Sequence, residues 1–534
     1  MSDEVAALAR ELPDAELVFA FVSPLGTPSS AVEAALSRAL REHDYAIEVL
    51  VRLSHLLDEM QGTPRGERPE HRQERLMGAG NDLRRKHGGD YLALMAIAAI
   101  NASRSIDTRQ SVVPHRRRAH VIRSLKHPDE VARLRHVYGK GFFLIGVSAP
   151  RRIRRETLKN RNFPHDDANR LLDKDAAEEE TFGQQTRATF ELADAYLRVD
   201  GESDTRQVQA KVRRIVDILL SCPFHPPTQE EHAMFMAYAA ALRSSDLSRQ
   251  VGAVVANRSG DVVASGANDA PTPSGGPSSP ARIEFTDDVR DMEGPDYLRG
   301  YDSNERERNK ILAKVLAALV ADAGPIPDEP GDRAALVKRY KDRLEGTGIL
   351  DLTEFGRAVH AEMAALMSCA RSGVSPVGGT LYCTTFPCHN CAKHIVAAGI
   401  STVVYVEPYP KSKAKDLHSD SISLPDEDED EPGGRVQFRA FEGVGPRRFV
   451  DLFSLTLGSG RPVRRKQKDA DGARITWKRG EGSLPRLPLD PRSYLEREDD
   501  AANFFRQKQD ESAKLPTDGA PNSAAEDPDP QGSA

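Results

Sequence analysis

Apolar and polar positions along the chain fall into two regimes. Leu17 to Val22 and Phe142 to Val147 are continuous apolar runs of strand length, the pattern of strands buried on both faces of a parallel sheet. Between Ser23 and Ser30 the chain is turn-rich and carries one glycine, Gly26; Ala31 to Leu40 then has helical periodicity. Tyr91 to Ile100 is apolar and helical, and Gly183 to Leu197 and Thr205 to Leu220 also read as helices. Strands alternating with helices predict a parallel α/β domain over residues 1–225.

Pro223, Pro226 and Pro227 mark a boundary, after which the pattern changes. Glu230 to Ser244 is an alanine-rich amphipathic helix, and Val251 to Ala256 and Asp261 to Gly266 are strands joined by a hairpin signal, Asn-Arg-Ser-Gly. Val359, Met363, Leu366, Met367 and Ala370 recur at helical spacing, and Thr380 to Thr385 alternates like a strand. Cys388 to Ala398 is helix-like and closed by Gly399, and Thr402 to Val406 is a further strand. A mixed sheet with helices on both faces is predicted for residues 226–455. An insert at 269–354 interrupts it, Pro/Gly/Ser-rich at first and then helical over 302–321 and 332–344. Residues 456–534 read as a polar tail with a helical stretch at 491–509 and a Pro/Ala/Asp-rich end expected to be disordered.

The chemistry concentrates between residues 360 and 391. His360-Ala361-Glu362 is followed by Pro387-Cys388-His389-Asn390-Cys391, the H-x-E and P-C-x-x-C pattern of zinc-dependent nucleobase deaminases. A catalytic zinc takes three protein ligands and keeps one position for water. His360, Cys388 and Cys391 supply that set, both cysteines at a helix start, where the dipole favours thiolate. Glu362 is the candidate proton shuttle, taking a proton from water and delivering protons to the ring and the leaving ammonia. A structural zinc site or a pair of reduced core cysteines is the alternative, and neither has a use for the Glu362 carboxylate.

The segments Ser244 to Ala253, Gly266-Ala-Asn268, Val359-His-Ala-Glu362 and Pro387 to Ile395 resemble the deoxycytidylate deaminase family. The resemblance implies a cytidine-deaminase fold, one catalytic Zn2+, Asn268 facing the substrate sugar and Arg249 near the nucleotide. After the last core strand, Tyr409-Pro-Lys-Ser-Lys-Ala-Lys-Asp-Leu-His418 is basic, and Tyr409 and Lys411 are candidates to receive a substrate phosphate.

Residues 1–225 resemble a P-loop nucleotide kinase domain that has lost part of its phosphate loop. The order of elements carries this: strand and loop at 17–30, then Phe142 to Val147 before an arginine-rich stretch, then Ala193-Asp194-Ala195 before a last helix. The full motif needs two glycines and a lysine, and residues 23–30 hold only Gly26 and no lysine. Gly26, Arg151 and Arg155 are candidates for holding a regulatory phosphate. A kinase-like domain fused to such a deaminase resembles the bacterial anti-phage deoxycytidine-nucleotide deaminases. That resemblance implies conversion of dCTP and dCMP to dUTP and dUMP, depletion of the pool used by phage, a homo-oligomer, and control by a small RNA.

Composition narrows the field. The 534 residues exceed one ordinary core, and the net charge of −7 gives no general attraction to nucleic acid. Five cysteines, with two committed to metal, point to a reducing compartment. Neither a signal peptide nor an apolar run of membrane-spanning length is evident, so the cytoplasm is expected. The readings to be separated are a free-nucleotide deaminase regulated by its N-terminal domain, an RNA or DNA base-editing deaminase acting on cytosine or adenine, and a non-catalytic nucleotide- or RNA-sensing module.

Overall fold

The two apolar runs lie side by side at the centre of a sheet. The computed structural model describes residues 14–62, 64–104, 113–177, 183–201, 205–273, 275–276, 294–319, 327–344, 347–352, 354–406, 413–424, 433–467 and 471–514. Strands β1 (Leu17–Val22), β2 (Ala46–Arg52), β3 (Arg118–Leu125), β4 (Phe142–Ser148) and β5 (Ala195–Arg198) are parallel, in the order β5-β4-β1-β3-β2. Val18 pairs with Phe142 on one side of β1 and with His120 on the other. Every residue of β1 is buried, as a strand covered on both faces requires.

Alternate residues of β1 point to opposite layers. Leu17, Phe19 and Phe21 pack against helix α1 (Ser29–Arg41) and a helix at Thr205–Leu219. Val18, Ala20 and Val22 face the other layer. There they share a core with α2 (Leu53–Gln61), α3 (Pro69–His87), α4 (Tyr91–Ala102) and α5 (Pro128–Tyr138). The connections from β1 and β3 therefore leave toward opposite faces of the sheet. Helix α6 (Arg151–Asn160) follows β4, and α7 (His165–Ala177) packs against it.

Three elements differ from the sequence reading. Gly183 to Leu197 is not one helix: Thr186–Glu191 is helical and Ala195–Arg198 is β5, held between β4 and a short strand from the second half. Strands β2 and β3 had no continuous apolar signal, because β2 is an edge strand and β3 begins in the basic cluster at 115–118. The 456–534 stretch contributes buried side chains. Helix α14 (Pro491–Lys514; α13 is Phe449–Phe453, and α8 to α12 are defined below) lies on α4 and buries Tyr494 and Ala502. Its Glu498 shares the buried Arg104 with Glu16.

The second sheet is mixed, in the order β10-β11-β9-β8-β6-β7. Its strands are β6 (Gly252–Ala256), β7 (Val262–Ala267), β8 (Thr380–Cys383), β9 (Thr402–Tyr405), β10 (Ile422–Ser423) and β11 (Val436–Ala440). Helix α8 (Gln229–Ala241) covers one face. α9 (Ser303–Leu319) and α10 (Pro330–Arg339) of the insert form a small core of their own around Leu312, Leu316, Leu336 and Val337. The two halves are joined by β12 (Gly443–Val444), which pairs antiparallel with β5. Arg448 clamps the junction through Asp194 Oδ1 (2.9 Å) and the Phe142 carbonyl (2.7 Å).

Candidate metal and catalytic site

Helix α11 (Ala361–Ser372) starts hard against β7. A Cβ on Gly266 would lie 2.3 Å from the Ala361 carbonyl oxygen, so only glycine allows this approach. A two-bond bridge between Asp269 and Val359 (N···O 3.3 and 2.9 Å) pins the chain just before the helix. His360 is then the N-cap residue, and Glu362, in the first turn, is buried at 4 % exposure. Helix α12 (His389–Ala397) follows β8 and takes Cys388 as its N-cap, with Cys391 buried in its first turn.

Two helix N-termini thus converge. His360 Nδ1 stands 3.3 Å from Cys388 Sγ and 3.4 Å from Cys391 Sγ, and the three ligand atoms lie within 4.8 Å of one another. Zinc bond lengths of about 2.0 Å to nitrogen and 2.3 Å to sulfur in a tetrahedron put such ligands about 3.5 Å apart. The electrostatics point the same way. The neighbouring Cys391 thiol and the His360 imidazole hold Cys388 well below the ordinary thiol range, whereas the Cys388 charge and burial push Cys391 up. For both sulfurs to be thiolates at this separation, a cation must lie between them. The residues present fit zinc. Burial, with the Cys388 charge adding to it, pushes the Glu362 carboxyl up.

The surrounding loop is tied down by residues the sequence reading had assigned to substrate. Asn268 is buried; its Oδ1 accepts from Val251 N (2.7 Å) and its Nδ2 donates to the Arg249 carbonyl (2.8 Å). Its amide therefore shapes the 249–251 loop. Arg249 itself is exposed, has no carboxylate partner among the described residues, and acts electrostatically on His360. Tyr409 and Lys411 lie outside the described residues. One residue went unread. Asp269 is buried, and its Oδ1 takes bonds from Ser245 Oγ (2.7 Å) and Ala270 N (2.8 Å), while Oδ2 has no protein partner. In sequence it was only the first residue of an insert.

In the N-terminal half, Gly26 sits in the β1–α1 loop with φ +78°, beside the Arg154 backbone. Arg151 pairs with Asp173 (2.7 Å), and neither it nor Arg155 lines the cavity next to Gly26.

Residues 227–407 match the cytidine and deoxycytidylate deaminase zinc-binding region. The cofactor of this region is zinc, and His360, Cys388 and Cys391 are a cluster placed to hold a metal ion. Deoxycytidylate deaminase of Enterobacteria phage T4 is 47% identical over 55 residues, 10% of this chain and 28% of the relative. ComE operon protein 2 of Bacillus subtilis is 47% identical over 53 residues, 10% of this chain and 28% of the relative. The chain thus matches under a third of the length of these curated relatives. Among solved structures, dCMP deaminase from the cyanophage S-TIM5 in complex with dCMP and dUMP aligns over 41% of this chain and 99% of its own. The identity is 18% and the TM-score 0.22. Among the described residues, no helix is long and apolar enough to cross a membrane.

Proposed function

We propose that the chain deaminates free deoxycytidine nucleotides, dCMP or dCTP, to the uracil nucleotides and ammonia. The convergence of His360, Cys388 and Cys391 beside the buried Glu362 carries this reading. Zinc, when bound, supplies Lewis-acid activation of water at neutral pH. Glu362 does the proton work. It takes a proton from the attacking water, places it on the ring nitrogen next to C4, and carries the second proton to the departing amino group. A C4–O bond forms, the C4–N bond breaks, ammonia leaves, and Glu362 returns to its starting state. Asn268 and the Asp269–Val359 bridge hold the loop and helix that place these groups. Arg249, and Tyr409 and Lys411 beyond β9, are assigned to the nucleotide phosphate and sugar side.

The role of residues 1–225 is to bind a nucleotide or RNA regulator without transferring phosphate, since the loop at 23–30 lacks a lysine. Depletion of the cytosine deoxynucleotide pool during phage infection, a homo-oligomer and control by a small RNA follow from the resemblance described above. The test is product analysis with dCMP, dCTP, cytidine and a cytosine-containing oligonucleotide. Uracil formed from the free deoxynucleotides supports the reading; uracil formed only in the oligonucleotide makes this a base-editing enzyme.

A further inference from the structure

A second cluster of cationic side chains lies in the other half. A cavity of about 360 Å³ opens where β1 and β3 end. These neighbouring strands send their connections to opposite faces of the sheet, α1 into one layer and α5 into the other. A crevice at the carboxyl ends of two such strands is where open α/β sheets bind ligands. Its volume falls in the range of about 300–1,000 Å³ typical of small-ligand sites.

Six cationic side chains line it (Arg52, Arg72, Arg84, Arg123, Lys126 and Arg161), and no carboxylate does. Acids behind the wall offset this charge in part. Arg52 and Arg123 share one, Glu33 (3.5 and 2.8 Å), Arg84 is held by Glu130 (2.7 Å), Arg72 by Asp58 and Lys126 by Asp175 (3.1 Å), four acids against six cations. Arg161 has no acidic partner among the described residues and stands beside the like charge of Arg123. The cavity is left with net positive charge, which a bound anion would balance.

The loop at 23–29 adds oriented polar groups. Thr27 is 96 % buried (4 % exposed), lines the cavity, and its Oγ1 has no hydrogen-bond partner; the buried Arg52 Nε has none either. Helix α1 starts here with no side-chain cap and no acid in its first turn, an arrangement open to anions. A lysine from another element is bonded to this loop. Lys126, just after β3, donates to the Ser23 carbonyl (2.8 Å) and to Asp175 (3.1 Å), which in turn accepts from Leu25 N (2.8 Å). Leu53, Leu57, Leu76, Met77 and Leu92 add apolar lining to the same cavity.

We propose that this cavity binds a nucleoside 5′-phosphate, its phosphate held among Thr27, Arg123, Lys126 and Arg161 and its nucleoside against Leu57, Leu76 and Met77. The proposal rests on the reading of residues 1–225 as a nucleotide-binding module, and it selects nucleotide over RNA. A leucine-walled cavity of this size admits one nucleotide, whereas RNA recognition uses exposed basic and stacking surfaces.

The test is titration calorimetry of the zinc-loaded full-length protein with AMP, GMP, dAMP and their triphosphates, inorganic pyrophosphate, and a single-stranded RNA lacking cytosine and uracil. Cytosine and uracil nucleotides are left out so that the deaminase site stays silent. At least one nucleotide is expected to bind one per chain, with pyrophosphate competing. Thr27→Val and Arg161→Gln are each expected to weaken it roughly tenfold or more, the scale of one hydrogen bond to a charged group. Arg161 is exposed, so its variant decides the matter even where Thr27→Val unfolds. Absence of binding by every nucleotide, equal binding by wild type and Arg161→Gln, or RNA binding without nucleotide binding would overturn the proposal. None of these results bears on ammonia release from dCMP, so the two readings fail separately.

Discussion

The proposed deaminase centre and the N-terminal cavity both lie where strands end and helices begin, yet they are assembled in opposite ways. The deaminase centre draws its four reactive groups from two segments, 360–362 and 388–391, each at a helix N-terminus. The cavity draws its charges from the ends of β2, β3 and α6 and from the interior of α3, more than a hundred residues of chain. Metal ligation demands fixed atoms at fixed distances, so its residues cluster and leave a motif. An anion site works through a summed field, so its cations can come from anywhere and leave none.

Zinc removal has the largest expected effect and should divide the molecule along this line. A chelator, or Cys388→Ala, is expected to reduce ammonia release below detection, while nucleotide binding by the N-terminal cavity, followed by calorimetry, persists. Loss of both activities would show that the two regions are not separable. Glu362→Gln comes next: a fall in turnover of about 10²–10⁴-fold is expected, the range of general acid–base catalysis, with zinc content by elemental analysis unchanged.

Arg104→Met tests the opposite region. It leaves the buried Glu16 and Glu498 carboxylates facing each other. A loss of about 3–5 kcal/mol is expected in the unfolding of the N-terminal half, measured by denaturant titration. A smaller change would mean that α14 is not part of that core. Asn268→Ala should cost about 1–3 kcal/mol, because Val251 N loses its acceptor inside the protein. It should also lower kcat/KM for dCMP.

The smallest effect concerns pH. Hydrogen bonds with Asp217 and then Cys222 raise His225 from its ordinary 6.5 to about 9. A raised folded-state value means stability that is fully present below pH 6.5 and lost as pH climbs through 9. His225→Gln should flatten the stability profile between those limits, and an unchanged slope would remove His225 from the account.

The sequence exposes these features unevenly, for physical reasons. His360, Glu362, Cys388 and Cys391 could be read because helix starts and metal spacing are local. Strands β1 and β4 could be read because burial on both faces leaves continuous apolar runs. β3 could not, since its first residue belongs to an arginine cluster, and β5 looked helical because its partners lie far off in the chain. The packing of α14 turns on Tyr494, Ala501 and Phe505, spaced along one face of an otherwise charged helix. Arg151 and Arg155 drew attention as a run, but the cations lining the cavity were scattered singly. Asp269 shows the same limit, since only the bridge to Val359 brings it beside His360.

The most direct test of the central claim is ammonia release from dCMP by the zinc-loaded chain, with Glu362→Gln measured at equal zinc content. The account predicts one ammonia per dUMP formed by the wild type and a loss of at least about a hundredfold in the variant. Turnover by Glu362→Gln at the wild-type rate, or a wild type inert toward both dCMP and dCTP, would contradict it.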